Sequence, residues 1–322
     1  QYPGKGQEGL LNTQGYADLQ WLIYANEAAN GNPISETHPV YGDSNNPSPT
    51  LPSWAANTDW YDVLTDNATI QNHDLSFSGG NDFARFFGGV GFFSQDGIIK
   101  ETNTQRVSAR FNSEFKVLKD RIKFGENVQI SHRSGRGVTN LGEASPMQMG
   151  IYRTQPIIPS IITTPVQGAT HNFIPGDYGG TGISPRLGNG DNVLATLERD
   201  KDDQSFDVRV VGSAFVDVKI IEGLNFRSTI GTTFQNGYYT NYTFATYESA
   251  ENVATPSFQE GAYYNMDWVW TNTLTYDKQF NESHRLLAVA GYEALEYGIG
   301  RGVNGTRAGY FSDAVDFRTL DN

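Results

Sequence analysis

Hydrophobic and polar residues alternate along much of the chain after residue 70. From Val107 to Val117, valine, alanine and phenylalanine occupy most of the odd positions, while serine, arginine, asparagine, glutamate and lysine occupy the even ones. Successive side chains of a β-strand point to opposite faces of the sheet. A period of two therefore predicts an extended strand with one apolar and one polar face.

The alternation recurs often enough to predict an all-β, antiparallel chain. Eight strands are predicted, at 71–77, 84–93, 104–117, 121–133, 204–220, 224–240, 260–276 and 285–298. The turns SGGND, LKD, IEG and DKQFNESH are short, whereas the connections between them are long, and the longest covers 134–203. Outer-membrane barrels alternate in the same way, with tight periplasmic turns and long external loops. We therefore expect 134–203 to be external, as a lid or binding loop.

The region before the strands has a different pattern. Its apolar stripe recurs at helical spacing and predicts a helix over residues 10–28. The stripe consists of Leu11, Leu19, Leu22 and Ile23. Residues 30–58, rich in proline, asparagine, serine and glycine, predict an irregular loop, and residues 60–66 a short turn or helix.

The apolar strand faces meet either lipid or a protein core. A β-sandwich also alternates, but its strands average about five or six residues. Most of the strands predicted here are longer than the roughly nine to eleven residues that a tilted membrane strand needs. Aromatic residues gather near both strand ends, which is typical of the girdles of membrane barrels. Lipid is therefore the favoured partner of the apolar faces, and a sandwich core is the alternative.

The same parity assigns individual residues to each face. The predicted lipid-facing set is Val208, Val216, Phe226, Trp268 and Trp270, and the predicted lumen-facing set is Arg110, Glu114, Arg209, Arg227 and Asp267. Glu126 falls on the apolar parity of its strand, and we interpret it as marking a β-bulge.

Composition narrows the range of possible functions and binding partners. The 322 residues carry a net charge of −13 and no block of basic residues, so nucleic acid is not an expected partner. The absence of cysteine excludes disulfides and thiolate metal sites. Mean hydropathy is −0.48, which does not argue against a barrel, because alternation hides its apolar residues.

Four motifs occur in a characteristic order after the helical start NTQGYA. They are TDW at Thr58–Trp60, SFSGG at Ser76–Gly80, QDGI at Gln95–Ile98 and RVSAR at Arg106–Arg110. In this order the chain resembles the SusC/RagA-type TonB-dependent outer-membrane transporters. The resemblance is specific over residues 10–133 and architectural beyond.

This resemblance implies a nutrient importer in the bacterial outer membrane that takes up glycans or peptides. It implies energy from the TonB complex, contacted through a region absent from this chain, and a SusD-like surface lipoprotein as a lid. Residues 1–70 would be the post-plug helix and irregular region, 71–298 barrel strands, and 299–322 an extracellular loop. Because such transporters have about 22 strands, we expect eight strands of a larger barrel. The alternatives are a soluble carbohydrate-binding β protein and a small, non-energised outer-membrane barrel or adhesin.

Candidate ligand sites lie in the long loop. Aromatic and acidic side chains there are candidates for stacking on a sugar or peptide, with packing inside the loop as the alternative. They are Tyr152, Phe173, Asp177 and Tyr178.

Catalysis and cofactors have little support in the sequence. No arrangement of serine, histidine and aspartate suggests a nucleophile, and the five histidines lack metal-ligand spacing. The acidic clusters GDSNN, EASPM and ERDKDD lack a dedicated calcium-loop pattern, although loop-bound calcium is an alternative to solvated charge. We expect neither an enzyme nor a cofactor.

Overall fold

The sheet predicted from the alternation is present. The computed structural model describes residues 10–31, 40–41, 51–137 and 147–321. Eight strands form one antiparallel sheet, and two short strands form a separate hairpin. The sheet consists of β1 (Ile70–Gly80), β2 (Ala84–Asp96), β3 (Asn103–Val117), β4 (Ile122–Arg136), β7 (Ser205–Ile221), β8 (Leu224–Thr243), β9 (Ser257–Asn281) and β10 (His284–Ala308), and the hairpin of β5 (Val166–Gln167) and β6 (Asn172–Phe173). The strands follow one another in chain order, with β1 and β10 at the two edges.

Helices occupy the connections and the region before the sheet. Helix α1 (Thr13–Ala29) begins where the Asn12 side chain accepts a hydrogen bond from the Gly15 N–H at 2.8 Å. Helix α2 (Trp60–Leu64) begins after Asp59, whose carboxylate accepts bonds from the first turn. The other helical segments are Met147–Arg153 (a π-helix), α3 (Val193–Arg199) and short 3₁₀ turns at Thr181–Ile183, Asp200–Asp202 and Val315–Phe317. None of the described helices is both long and apolar enough to cross a membrane.

The last hairpin is longer than the sequence predicts. Strands β9 and β10 have 25 residues each, so the connection predicted over 277–284 shrinks to Glu282 and Ser283. The prediction that residues 299–308 are loop is also wrong, because they continue β10 in register with β9. Gly298, with φ of +73°, lies within a register shift between Glu296 and Ile299. This irregularity breaks the alternation and hides the end of the strand in the sequence.

The predicted bulge at Glu126 is also wrong. Glu126 lies opposite Ser113 on one side and Ala214 on the other, and neither register shifts there. The Ser113 hydroxyl donates a hydrogen bond to the Glu126 carboxylate. The acidic side chain therefore lies on the apolar face in a regular strand, where a neighbouring hydroxyl group forms a hydrogen bond with it.

The hydrophobic core lies among the connections rather than in the sheet. Its buried side chains come from α1, α2, α3 and the long connection between β4 and β7, including Ile157, Ile158 and Phe173. Sheet residues such as Val90, Ile130 and Ile230 are instead exposed to about half of their surface. The long connection is therefore a folded unit, and the sheet leaves a broad apolar face uncovered.

Candidate functional site

The strand registers separate the two predicted sets of residues. Residues that pair across antiparallel strands share a face of the sheet. Val216 pairs with Phe124 and Ser228, whereas Arg227 pairs with Asp217 and Thr273. All five residues predicted to face lipid lie on one face, and all five predicted to face the lumen lie on the other: Val208, Val216, Phe226, Trp268 and Trp270 against Arg110, Glu114, Arg209, Arg227 and Asp267. That the first face meets lipid stays a prediction.

Aromatic rings cluster at two levels of the apolar face. The rings of Phe115 and Phe124 stack at 5.1 Å near the short turns. Nearer the long connections, the Phe206 ring lies 5.7 Å from that of His132 and 5.5 Å from that of Tyr238. Along β4, Phe124 and His132 are separated by about 26 Å at a rise of ~3.3 Å per residue. The aromatic residues therefore border an apolar band on this strand.

The opposite face carries ion pairs between neighbouring strands. The distance between an arginine nitrogen and an aspartate oxygen is 3.0 Å for Arg133–Asp207, 3.8 Å for Arg227–Asp217 and 2.5 Å for Arg285–Asp277. The Arg110 guanidinium donates to the Gln129 amide oxygen at 3.0 Å. These side chains are partly exposed, so they add little stability. Their effect is to line the face with charges of both signs.

A cavity of about 650 Å³ lies where this polar face meets the long connection. Its walls include charged, amide and phenol side chains that offer planar hydrogen-bonding groups beside an aromatic ring. Among them are Arg133, Arg136, Asp200, Asp203, Tyr239 and Asn241. Such a mixture suits a polar ligand with several hydrogen-bonding groups.

Two aspartates of this cavity have perturbed ionisation. Burial raises the pKa of the Asp200 carboxyl to about 6, against the lowering effect of Arg136, Arg199 and Arg318. Burial also raises the pKa of Asp203 to about 6, although its carboxylate accepts a hydrogen bond from a backbone N–H of β8 at 2.8 Å. Both groups thus titrate closer to neutral pH than ordinary aspartates do.

An ion pair fastens the long connection to the loop between β8 and β9. Arg199 donates to both carboxylate oxygens of Glu248, at 2.6 and 3.0 Å, and both side chains are largely buried. The guanidinium lies over the rings of Tyr178 and Tyr247, at 5.2 and 5.7 Å. The Tyr178 hydroxyl donates to Glu198 at 2.5 Å. These contacts join the long connection between β4 and β7 to the loop between β8 and β9, and the two together are called the loop assembly below.

The predicted ligand residues are not brought together. Tyr152 is exposed and lines a separate cavity of about 370 Å³ between α1 and the segment that follows Ile151. Phe173 is buried, so the prediction that its ring is available for stacking is wrong. Asp177 pairs with His171 at 3.4 Å, and the Tyr178 ring contacts Arg199. These contacts favour packing within the loop for the last three residues.

Sequence reasoning missed the cavity on the polar face. Arg136, Asp203 and Tyr239 belong to separate segments that meet only after the sheet forms. The available signal was the position of each residue near the loop end of a strand. Among the described residues no group of three metal-ligating side chains forms, and the clusters GDSNN and EASPM fall largely outside the described ranges.

Curated relatives share the sequence over most of the chain. TonB-dependent receptor P26 of Formosa agariphila is 25% identical over 286 residues, which cover 86% of this chain and 26% of the relative. TonB-dependent receptor SusC of Bacteroides thetaiotaomicron is 27% identical over 196 residues, 58% of this chain and 19% of the relative. The chain thus spans about a quarter or less of the length of these relatives. No protein-family model matches it.

Solved structures share the fold. The RagAB peptide importer in its closed-closed state superposes with a TM-score of 0.62 and 19% identity, over 98% of this chain and 33% of that chain. The open-open state gives a TM-score of 0.63 with 20% identity, over 97% and 32%. Together with the curated relatives, these structures confirm the resemblance inferred from the sequence motifs. By their names, these proteins are receptors and importers rather than enzymes.

Proposed function

We propose that this chain, a relative of the SusC/RagA-type TonB-dependent transporters, forms a section of the barrel wall of an outer-membrane nutrient importer. The observation that carries the proposal is that the predicted lipid-facing and lumen-facing residues of β3, β7, β8 and β9 lie on opposite faces of the sheet. One face presents exposed valine, phenylalanine and tryptophan, and the other presents cross-strand ion pairs. Alternation of this kind suits a wall between hydrocarbon and a polar lumen.

The stagger of the strands supports the same placement. The paired residues from Ala84 to Tyr292 form one row across the sheet. From each strand to the next, the short turn lies about 1.4 residues further from this row. The rise is ~3.3 Å per residue and neighbouring strands are ~4.8 Å apart. If all the short turns lie at one membrane surface, the strands must therefore tilt by about 45° from the membrane normal. Strands of membrane barrels tilt by roughly 35–45°. The stagger is therefore the one that such a barrel needs.

The polar face and the loop assembly would meet the substrate. The cavity that includes Arg136, Asp203 and Tyr239 opens at the end of the sheet that carries the long connections. We place this end outside the cell, beneath a SusD-like lipoprotein, and the short turns in the periplasm, where the TonB complex supplies energy. Glycans and peptides are the proposed substrates. Both present the repeated hydrogen-bonding groups that amide, carboxylate and guanidinium side chains recognise.

Uptake by intact cells tests this function. Cells with and without the gene would receive fluorescent oligosaccharides or peptides, in the presence or absence of a protonophore. We expect uptake of one class to need both the gene and the proton gradient. Uptake that resists the protonophore would indicate a non-energised barrel. Recovery of the protein in the soluble fraction would indicate the carbohydrate-binding alternative.

A further inference from the structure

Glu126 places a carboxylate on the apolar face of the sheet. It lies between Phe124 and Val128 on the same face of β4, and opposite Ser113 and Ala214 on the neighbouring strands. Because both registers are regular, the side chain cannot be assigned to the polar face. Acidic side chains in contact with lipid are uncommon, and each one is a candidate site with a specific partner.

The protein satisfies only part of this carboxylate. The hydroxyl of Ser113, a largely buried residue, donates to Oε1 of Glu126. No described side chain donates to Oε2, and the neighbour on β7 is the small Ala214. One carboxylate oxygen therefore has room for an external hydrogen-bond donor.

An aromatic pair lies directly beside the carboxylate. Phe115 and Phe124 are the next cross-strand pair towards the short turn, and their rings stack at 5.1 Å with 22° between the planes. About two fifths of each residue's surface is exposed. Aromatic ring faces attract cations, and a carboxylate attracts them more strongly. The site thus combines two groups that recognise an ammonium ion.

The position within the strand indicates where such a cation comes from. Glu126 is on the turn-side half of β4, which begins at Ile122. This step rests on the proposed function, in which the apolar face meets lipid and the short turns are periplasmic. The cation nearest to this part of the wall is then the headgroup of a phospholipid in the periplasmic leaflet. Near an interface an acidic side chain is tolerated better than at the midplane.

We propose that Glu126, Phe115 and Phe124 bind the primary ammonium headgroup of an aminophospholipid. The ammonium donates to the second carboxylate oxygen and lies against the exposed rings, while Ser113 holds the carboxylate in place. A phosphatidylglycerol headgroup has hydroxyls but no cation. It can therefore form neither the ion pair with the carboxylate nor the cation–π contact with the rings. The site therefore selects lipids by headgroup charge, on the outer surface of the wall.

The intact protein, purified from its outer membrane and delipidated, tests this site by native mass spectrometry. It is mixed with equal amounts of phosphatidylethanolamine and phosphatidylglycerol, and retained lipids are counted. We expect the wild-type protein to retain phosphatidylethanolamine preferentially, and Glu126→Gln to reduce that retention roughly fivefold. Glutamine still accepts the Ser113 hydrogen bond, so this variant removes the charge and keeps the local structure. Glu114→Gln, on the opposite face of β3, is the matched control and should change nothing.

A photoreactive phosphatidylethanolamine gives a second readout that does not depend on a variant. Its label should attach to residues around Phe115 and Phe124 in the wild-type protein. Equal retention of both lipids by the wild-type protein, or unchanged retention in Glu126→Gln, would overturn the site. Spin labels that report no lipid beside Val216 would instead overturn the proposed function, so the two failures are distinguishable.

Discussion

Arg199 and Glu248 join two long connections through a two-point ion pair, with nitrogen–oxygen distances of 2.6 and 3.0 Å. Residue Glu248 is 2% exposed, so its carboxylate depends on this pair for charge compensation. Removing one partner of a buried pair leaves the other charge without compensation, which usually costs more than the pair contributes. The loop assembly is therefore expected to be sensitive to the loss of this contact.

Glu248→Ala should loosen the loop assembly while leaving the sheet intact. We expect the local free energy of opening to fall by about 3–5 kcal/mol, because the Arg199 guanidinium remains buried without its partner. Hydrogen exchange of the amides around α3 would measure this change. Arg133→Ala breaks an exposed pair with Asp207 and is the control, with an expected effect below about 1 kcal/mol. Equal protection in both variants would contradict a stabilising role of the Arg199–Glu248 pair.

The stability of the loop assembly should depend on pH through Asp200. Its folded pKa of about 6 exceeds the ordinary value of 3.8, so the folded state binds the proton more tightly than the unfolded chain. Stability should therefore rise as the pH falls through 6, and the gain is complete below the unfolded pKa. Thermal unfolding at about pH 8 and pH 5 would measure it.

Asp200→Asn supplies the control for this pH dependence. The asparagine side chain is neutral at every pH, so it avoids the cost of burying a charged carboxylate. The variant should therefore be more stable than the wild type at about pH 8, by roughly 1 kcal/mol after allowance for solvent screening. It should also show a weaker dependence on pH, with Asp203 providing the remainder. A pH dependence identical to that of the wild type would exclude Asp200 as the source.

Gly150 lies where three helical segments meet. A Cβ atom there would collide with Leu64 of α2 and approach Val193 of α3 to 3.2 Å. Gly150→Ala should therefore destabilise the loop assembly by about 1–3 kcal/mol through overpacking. Gly137→Ala, with no atom of the described residues within 4 Å of the added atom, should be close to neutral. A chemical denaturation curve for each variant would compare them, and equal midpoints would contradict this packing.

Much of this architecture could be predicted from the sequence, because strand parity is a local property. The alternation around Val107 and Val216 assigns faces correctly without knowledge of strand partners. The end of β10 could not be found, since the irregularity at Gly298 breaks the period. The burial of Phe173 could not be predicted, because it depends on segments distant in the chain. The same reason hid the cavity that contains Asp203, whose walls come from separate strand ends.

An arginine on the apolar face should be poorly tolerated. Val128 lies on that face opposite Phe111, midway along β4 between the aromatic levels at Phe124 and His132. Val128→Arg should cost roughly 2–4 kcal/mol if hydrocarbon surrounds this level of the strand. Thr229→Arg, on the polar face, is the control and should fold normally. Heat-modifiable gel migration and refolding in lipid would compare the variants, and equal yields would contradict a lipid-facing Val128.

The central claim is that the sheet separates lipid from a polar lumen, and spin labels on neighbouring residues of β7 test it most directly. Labels at Val208 and Val216 on one face, and at Arg209 and Asp217 on the other, would be compared in proteoliposomes of the intact protein. We expect the first pair to be relaxed by oxygen dissolved in the lipid and the second pair by a water-soluble nickel chelate. Equal accessibility of both pairs to the two relaxing agents would contradict the barrel wall.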